Sequence, residues 1–420
     1  MGRSRRNKRS PNKIGETISN ETFKKVVLVV GIIIIACVGI MGVRYWQDNQ
    51  KLAEQRQKLD KQIESIFQAE IPQEETQEKE EDTVIHMAVV GDILCGNLML
   101  EDAKMGEDYQ FTSMLEGVKE YTEAADIAIG TMETNFTQKE YSGNQEYNSP
   151  VSFAQAVKDV GIDVVSTAHN HSLDYGLDGL KQTKQNLEEI GYTVVGTKDS
   201  VEEKNYILQE VSGIKIAFLA YTYGFSNESS IKEEEKQYVN VFSLEQAMQD
   251  IQAAKEEGAE YICVIMHWGE VNATKASEEQ KQIADNLVQA GANMIVGSHP
   301  SVVQQMEMKK NAEGEDCFVA YSLGNYISSL SSENANLEII LDIQLRKDAQ
   351  SGKVILEKVN YIPIYVLDNG KNAENRYTLV DMQETARKYA SGETKEITRK
   401  TYDKLMEGLE KLEEIIRRQS

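Results

Sequence analysis

The chain has 420 residues, of which 68 are acidic and 45 basic, and its formal net charge at pH 7 is −23. It offers no basic stripe that would neutralise phosphates, which argues against nucleic acid as a partner. Its 4 cysteines, Cys37, Cys95, Cys263 and Cys317, are too scattered to indicate a disulfide framework. The composition therefore disfavours both a nucleic-acid-binding protein and a disulfide-rich scaffold.

The N-terminal region has the pattern of a membrane anchor. Residues 1–25 carry eight basic against two acidic side chains, and the eighteen residues from Val26 to Val43 are uncharged and apolar. Extended by an aromatic pair, this run is just long enough to cross a bilayer. Because the basic side stays in the cytoplasm, we predict a cytoplasmic tail at 1–25, a single-pass signal anchor at 26–46 and an extracellular remainder.

Two processing alternatives concern the same region. No A-x-A site follows the apolar run, which disfavours cleavage as an ordinary signal peptide. The stretch I-I-A-C ending at Cys37 loosely resembles a lipoprotein box, although the apolar run continues beyond it. The next segment, 47–83, is rich in Gln, Glu and Lys and predicts a solvated stalk, with weak self-association as the alternative.

Apolar strand-like runs alternate with helical stretches from Val84 to about Val366. The helical stretches include 151–160, 177–190, 244–257 and 277–290. Such alternation predicts an α/β domain at 84–366 with mostly buried strands and one large core.

Two further segments complete the predicted layout. Leu337–Leu345 and Lys353–Val366 flank the sequence D-A-Q-S-G-K and predict an antiparallel hairpin. The remaining segment, 367–420, is charged and carries a leucine-rich stripe at helical spacing, so we predict a peripheral helical appendage.

Polar side chains follow several of the predicted strands. Four of the five histidines lie in the motifs A-H-N-H, M-H-W-G and G-S-H-P, each just after an apolar run. His267 and His299 belong to the last two motifs, and Asp92 and Glu133 also follow strands. Taken alone, Asp92 is as consistent with a helix cap, and Glu133 is uninformative. Together these four predict a metal centre, because strand ends are where α/β folds build sites.

The stretch S-T-A-H-N-H-S-L-D contributes more polar groups to this edge. Asn170 can coordinate a metal through its carbonyl oxygen, and His171 can donate a proton to a leaving group. His169 and His171 flank Asn170, so the three side chains cannot all face the same way. Asp174 is either an acceptor for an imidazole N–H or a turn residue. The later motif Y-S-L-G-N, ending at Asn325, is interpreted as structural.

Serine and cysteine nucleophile chemistry has no support in the chain. There is no G-x-S-x-G, no P-loop and no paired C-x-x-C.

The ordered motifs G-D, E, N-H, H-W-G, G-x-H-P and Y-S-L-G-N resemble the CapA family of poly-γ-glutamate capsule-synthesis proteins. These proteins in turn resemble calcineurin-like metallophosphoesterases, and the resemblance covers residues 84–366. It implies a calcineurin-like sandwich of two β-sheets flanked by helices. It also implies a role in the biosynthesis, export or anchoring of an anionic capsule polymer, with other capsule-synthesis membrane proteins as partners.

The resemblance also implies roles for individual residues. The positions that match the superfamily's metal-binding motifs are Asp92, Glu133, Asn170, His171, His267 and His299. Leu94 and Ser301 stand where two further histidine ligands would be. The resemblance therefore implies one divalent ion, of Mn, Zn or Fe, held by Glu133, Asn170, His267 and His299. The second position would retain only Asp92 and a share of Glu133, with Glu270 or Cys95 as conceivable replacements.

Three functions are compatible with these residues. The first is metal-dependent hydrolysis or transfer of a polymer or phosphoester bond outside the cell, in which Asp92, Asn170 and His171 are catalytic. The second is a non-catalytic, metal-stabilised subunit of a capsule-synthesis complex. The third is a secreted phosphoesterase unrelated to capsule.

Overall fold

A computed structural model describes residues 50–51 and 81–417. The predicted cytoplasmic tail, the predicted anchor at 26–46 and nearly all of the predicted stalk lie outside the described residues. Among the helices that are described, none is both long and apolar enough to cross a bilayer.

The larger sheet has eight strands and mixed direction. In chain order they are β1 (Thr83–Ile93), β4 (Ile127–Met132), β7 (Val164–Ser166), β8 (Thr193–Val195), β15 (Asn325–Ile327), β16 (Leu337–Lys347), β17 (Val354–Asp368) and β18 (Tyr377–Asp381). β1, β4, β7 and β8 run parallel, whereas β16, β17 and β18 continue the sheet antiparallel from the other side of β1. The predicted hairpin is the β16–β17 pair.

The smaller sheet has six strands. They are β9 (Tyr206–Val211), β10 (Ile214–Thr222), β11 (Tyr261–His267), β12 (Met294–Ser298), β13 (Met306–Lys310) and β14 (Asp316–Ala320). The central strands β10, β11, β12 and β14 are parallel, and β9 and β13 are antiparallel edges. Every residue of β11 is buried, as expected for a parallel strand covered on both faces. Two short ladders, β2 (Lys104–Met105) with β3 (Asp108–Tyr109) and β5 (Ser142–Asn144) with β6 (Glu146–Asn148), lie in the connections.

Helices cover the outer faces of both sheets. In chain order the described α-helices are α1 (Asn97–Ala103), α2 (Thr112–Leu115), α3 (Lys119–Glu123), α4 (Val151–Asp159), α5 (Gly176–Ile190), α6 (Glu233–Lys236), α7 (Leu244–Glu256), α8 (Glu278–Ala290), α9 (Met382–Ser391) and α10 (Arg399–Ile416). The four helices predicted from the sequence are thus confirmed as α4, α5, α7 and α8. α8 begins at a capping box formed by Ser277 and Gln280 and ends at Gly291, whose left-handed φ of 109° suits glycine.

Three apolar layers hold the elements together. The inner faces of the two sheets share one core, which includes Val89 of β1 and Ile265 of β11. A second core joins the outer face of the larger sheet to α1, α2 and α4, and a third joins the outer face of the smaller sheet to α7 and α8. The fold is therefore mixed α/β, with two packed β-sheets between helical layers.

The C-terminal region is more integrated than a peripheral helical appendage. Its strand β18 forms the edge of the larger sheet, and the predicted boundary at residue 366 falls inside β17. Met382 of α9 and Leu405 of α10 are fully buried in the core between the sheets. A five-residue strand such as β18 is too short to reveal its period, so the sequence pattern showed only the two helices.

Gly91 permits a close approach between β1 and the chain before β15. A Cβ built on Gly91 would lie 2.0 Å from the carbonyl oxygen of Gly324, which is backbone and cannot swing away. We expect Gly91→Ala to lower the free energy of unfolding by about 3 kcal/mol in denaturant titration. Gly352→Ala is the control, since its Cβ meets nothing within 4 Å and only its φ of 70° resists substitution; its expected cost is about 1 kcal/mol. Equal losses would show that the close approach is unimportant.

Candidate metal centre

The candidate site lies where the carboxyl ends of parallel strands from both sheets meet. Asp92 lies near the end of β1, Glu133 follows β4, His267 ends β11 and His299 follows β12. The two sheets touch here, because the hydroxyl of Ser298 donates to that of Thr131 at 3.3 Å. The fold therefore brings together side chains that are far apart along the chain.

Ligand atoms from Glu133, His267 and His299 lie within 4.8 Å of one another, and all three residues are buried. The His267 Nε2 atom is 2.7 Å from Asn170 Oδ1, 3.1 Å from His299 Nδ1 and 3.7 Å from Glu133 Oε1. Carboxylate, imidazole and amide groups at this separation are a donor set suited to a divalent transition ion. These are the four residues that the resemblance implied for a single ion.

The other nitrogen of His267 fixes the orientation of the ring. Its Nδ1 is 3.0 Å from the Ser298 hydroxyl and 3.5 Å from Asp92 Oδ1. With its proton on Nδ1, His267 directs the lone pair of Nε2 toward the other three ligand groups, as metal-binding histidines do. Asp92 thus lies behind the His267 ring, on the side away from the Glu133–His267–His299 cluster.

Asp92 also positions the loop that carries His299. The backbone N–H of His299 donates to Asp92 Oδ2 at 2.7 Å. His299 has φ of 93° and Ser301 has φ of 58°, so two non-glycine residues of this loop adopt left-handed backbone conformations. Such strain persists only where surrounding contacts fix it and is typical of functional loops.

The electrostatics of the cluster suit a bound cation. Burial raises the pKa of Asp92 to about 6, against the opposing hydrogen bond from His299. Burial also raises the pKa of Glu133 well above its usual value, and the charges of Asp92 and Asp174 raise it further. Burial lowers the pKa of His267 and of His299, the latter to about 3, so both imidazoles are neutral and have a free lone pair. Carboxylates without compensating charge beside neutral imidazoles fit a divalent ion.

His171 occupies a separate position beside the cluster. Its Nδ1 is 2.7 Å from Asp174 Oδ2, so Asp174 is placed as the acceptor for an imidazole N–H. The ring of Tyr147 meets that of His171 edge-on, with centroids 4.7 Å apart. His169 is buried, its ring centroid lies 6.1 Å from that of His267, and its Nδ1 accepts the His171 backbone N–H. His171 Nε2 is therefore the ring nitrogen left for proton transfer.

Tyr223 belongs to this site although the sequence analysis did not identify it. Its ring lies 4.8 Å from that of His299 and 6.5 Å, nearly parallel, from that of His267. It follows β10, whose last residue Thr222 is the register partner of His267. The histidines were identified because they follow apolar runs. Tyr223 also follows such a run, and it would have been identified if tyrosine had been among the residue types considered.

The residues considered as replacement ligands do not join the cluster. Glu270 is exposed. Cys95 is fully buried, and burial raises the pKa of its thiol to about 12. Leu94 is buried and offers no ligand atom, and the Ser301 hydroxyl donates to the His299 carbonyl at 3.4 Å. The side-chain amide of Asn325 has a structural role, because its N–H groups donate to the Ser301 carbonyl and the Ser328 hydroxyl.

The fold and site together define an α/β protein with a buried carboxylate–histidine cluster. The chain belongs to the family described as bacterial capsule synthesis protein PGA_cap, whose model matches residues 86–330. It is 28% identical over 290 residues to the capsule biosynthesis protein CapA of Bacillus anthracis, covering 66% of this chain and 67% of that protein. It is also 28% identical over 276 residues to the PGA biosynthesis protein CapA of Bacillus subtilis, covering 64% and 69%.

Solved structures with partial similarity include two proteins. One is a 5′-nucleotidase precursor from Thermus thermophilus, with a TM-score of 0.42, 14% identity and coverage of 66% of this chain and 54% of that chain. The other is the calcineurin-like phosphoesterase YfkN from Bacillus subtilis, with a TM-score of 0.41, 12% identity and coverage of 80% and 99%.

Proposed function

We propose that this chain is a membrane-anchored extracellular protein of capsule biosynthesis that uses a metal centre to hydrolyse or transfer a bond of an anionic polymer. Membership of the capsule synthesis family supports the biological role, and the two CapA relatives carry capsule or PGA biosynthesis in their names. The polymer would be of the poly-γ-glutamate type. The basic tail and apolar run of residues 1–46 support the anchor and its orientation.

One observation carries the catalytic part of the proposal. Three ligand groups from separate chain segments, those of Glu133, Asn170 and His299, converge on Nε2 of a fourth, His267. Neighbouring side chains hold two of these ligands in position. Asp92 and Ser298 hold the back of the His267 ring, and Ser226 takes a hydrogen bond from the Asn170 amide. Supporting partners of this kind are typical of metal sites in metallohydrolases.

The residues at the site would have separate chemical roles. Glu133, Asn170, His267 and His299 would hold a divalent ion, which would supply Lewis acidity to polarise a scissile group and to make water more acidic. Asp174 accepts a hydrogen bond from His171 Nδ1 and would stabilise the doubly protonated ring. That ring would donate its Nε2 proton to the departing oxygen or nitrogen and would itself become neutral. Tyr223, which is half-exposed, lies beside the His299 ring.

The test is to purify the full chain in detergent and measure metal content and turnover. We expect about one tightly bound Mn, Zn or Fe ion per chain. We also expect cleavage of poly-γ-glutamate or of a phosphoester, lost with a chelator and restored by the ion. Protein that stays metal-free after Mn and Zn addition would overturn the metal centre. Bound metal without turnover would favour a non-catalytic subunit, and turnover of phosphoesters alone would favour a phosphoesterase unrelated to capsule.

A further inference from the structure

Glu338 is a fully buried carboxyl group that the proposed chemistry does not use. Its relative exposure is 0%, and neither carboxyl oxygen meets a hydrogen-bond partner among the described residues. Asp92 Oδ1 and Asn325 Oδ1 are buried and unpartnered in the same way. Among the described residues, nine buried side-chain polar atoms lack a hydrogen-bond partner, and four of them are oxygens of these three residues. It therefore matters whether the three residues lie close together.

The three residues lie at one level of the larger sheet. Asp92 and Asn325 are register partners on the parallel pair β1 and β15, and neighbouring strands lie about 4.8 Å apart. β1 and β16 are neighbours that pair antiparallel as far as Val89 with Leu341. The same register continued by three residues would set Asp92 opposite Glu338, where β15 pairs with the end of β1.

A close contact places the Glu338 carboxylate against this level. A Cβ built on Gly324 would lie 2.8 Å from Glu338 Oε2, and the carbonyl oxygen of Gly324 accepts the backbone N–H of Asp92 at 3.1 Å. Glu338 is thus adjacent to the residue that hydrogen-bonds Asp92 and precedes Asn325. Burial raises the pKa of Glu338 well above its usual value and the charge of Asp92 raises it further, while the backbone N–H of Asn325 opposes the increase. Both neighbours agree with this proximity.

No lysine or arginine in residues 81–417 forms an ion pair with Asp92 or Glu338; the one pairing seen is Asp92 with His267. Two ionised carboxylates buried together without a cation would cost several kcal/mol. Protonation of Glu338 does not remove the problem, since its single O–H can satisfy at most one acceptor and leaves Asn325 Oδ1 or Asp92 Oδ1 without a partner. A divalent cation among these oxygens satisfies all of them at once.

We infer that Asp92, Asn325 and Glu338 form a second cation site, which binds a hard divalent ion through oxygen atoms alone. Two carboxylates and one amide oxygen suit Mg²⁺, Ca²⁺ or Mn²⁺, whereas the histidine cluster suits a transition ion. The two sites adjoin through Asp92, whose Oδ1 also lies 3.5 Å from His267 Nδ1. The oxygen site does not depend on whether the histidine cluster is catalytic.

The experiment uses Ca²⁺ as the probe, because Ca²⁺ takes oxygen ligands and disfavours imidazole. Full-length protein in detergent is stripped with chelator and titrated with Ca²⁺ in a potassium chloride buffer, and bound calcium and melting temperature are followed. We expect one saturable Ca²⁺ per chain and a rise in melting temperature. Glu338→Gln should weaken that binding at least about 100-fold while Zn²⁺ binding persists.

Two further variants separate the two sites. His267→Ala should lose Zn²⁺ but still bind Ca²⁺, so failure of the histidine site and failure of the oxygen site are distinguishable. Asp342→Asn removes a partly exposed carboxylate from the same strand β16 and should leave Ca²⁺ binding unchanged, which controls for surface acids. If wild-type protein binds no saturable Ca²⁺, Mg²⁺ or Mn²⁺ beyond the histidine-site ion, the inference is wrong, whether or not Glu338→Gln folds. Equal Ca²⁺ affinity in folded Glu338→Gln also overturns it.

Discussion

Replacing His267 with alanine is expected to abolish tight binding of the transition ion and to destabilise the protein. The side chain is 1% exposed and contacts Asn170, Ser298 and His299 through its two ring nitrogens. Loss of a partner that only orients a metal ligand weakens binding about 10- to 100-fold, so loss of this ligand should weaken it at least about 100-fold. Leaving the buried polar partners of His267 without hydrogen bonds should lower the free energy of unfolding by about 3 kcal/mol.

Metal content by mass spectrometry and denaturant titration check this expectation. His86→Ala is the matched control, because His86 lies at the opposite end of β1 with its side chain 49% exposed. It should keep both the ion and the stability within about 0.5 kcal/mol. A His267→Ala protein that retained wild-type zinc affinity would show that the cluster is not a metal site.

Replacing His171 with alanine is expected to reduce turnover about 10²- to 10⁴-fold while metal content stays unchanged. His171 contacts Asp174 through Nδ1, and no described hydrogen bond joins its ring to Glu133, His267 or His299. The Asp174 side chain is 1% exposed, so leaving its carboxylate without the His171 partner should lower the free energy of unfolding by about 2 kcal/mol. Assays on whichever substrate the wild type cleaves, together with metal analysis, separate the two effects.

Asp174→Asn offers a graded comparison for that experiment. The amide preserves the shape of the side chain but removes the charge that stabilises a protonated His171, so an intermediate loss of turnover is expected. Turnover by His171→Ala close to that of the wild type would exclude its role as proton donor. Loss of the ion together with activity would instead identify His171 as a ligand.

Much of the fold was predictable because the local patterns are strong. The segments 151–160, 177–190, 244–257 and 277–290 were predicted as helices from the alternation of apolar and polar stretches, and the structure has helices there. The β16–β17 hairpin follows from two long runs around a turn-forming sequence. By contrast, β18 is five residues long, and in the edge strand β9 only the first and last residues, Tyr206 and Val211, are buried. Neither strand therefore has the long apolar run or regular alternation that predicts a strand.

The candidate site was predictable as a set of residues but not as an arrangement. Strand exits identify the edge at which Glu133, His267 and His299 meet, because parallel strands end together. They do not tell which ring nitrogen faces which partner. The position of Asp92 behind His267, and the packing of Tyr223 against His299, depend on how the two sheets pack against each other.

The sequence by itself determined the chemistry available to this protein: the membrane-anchor pattern, the α/β alternation and the histidines, amide and carboxylates at strand ends. Those features are local, since each depends on residues within one segment. Only the tertiary structure decided which of these side chains lie close together. Glu338 has no motif around it and is noticed only because the pairing of β16 with β1 brings its carboxylate, without a partner, to the level of Asp92.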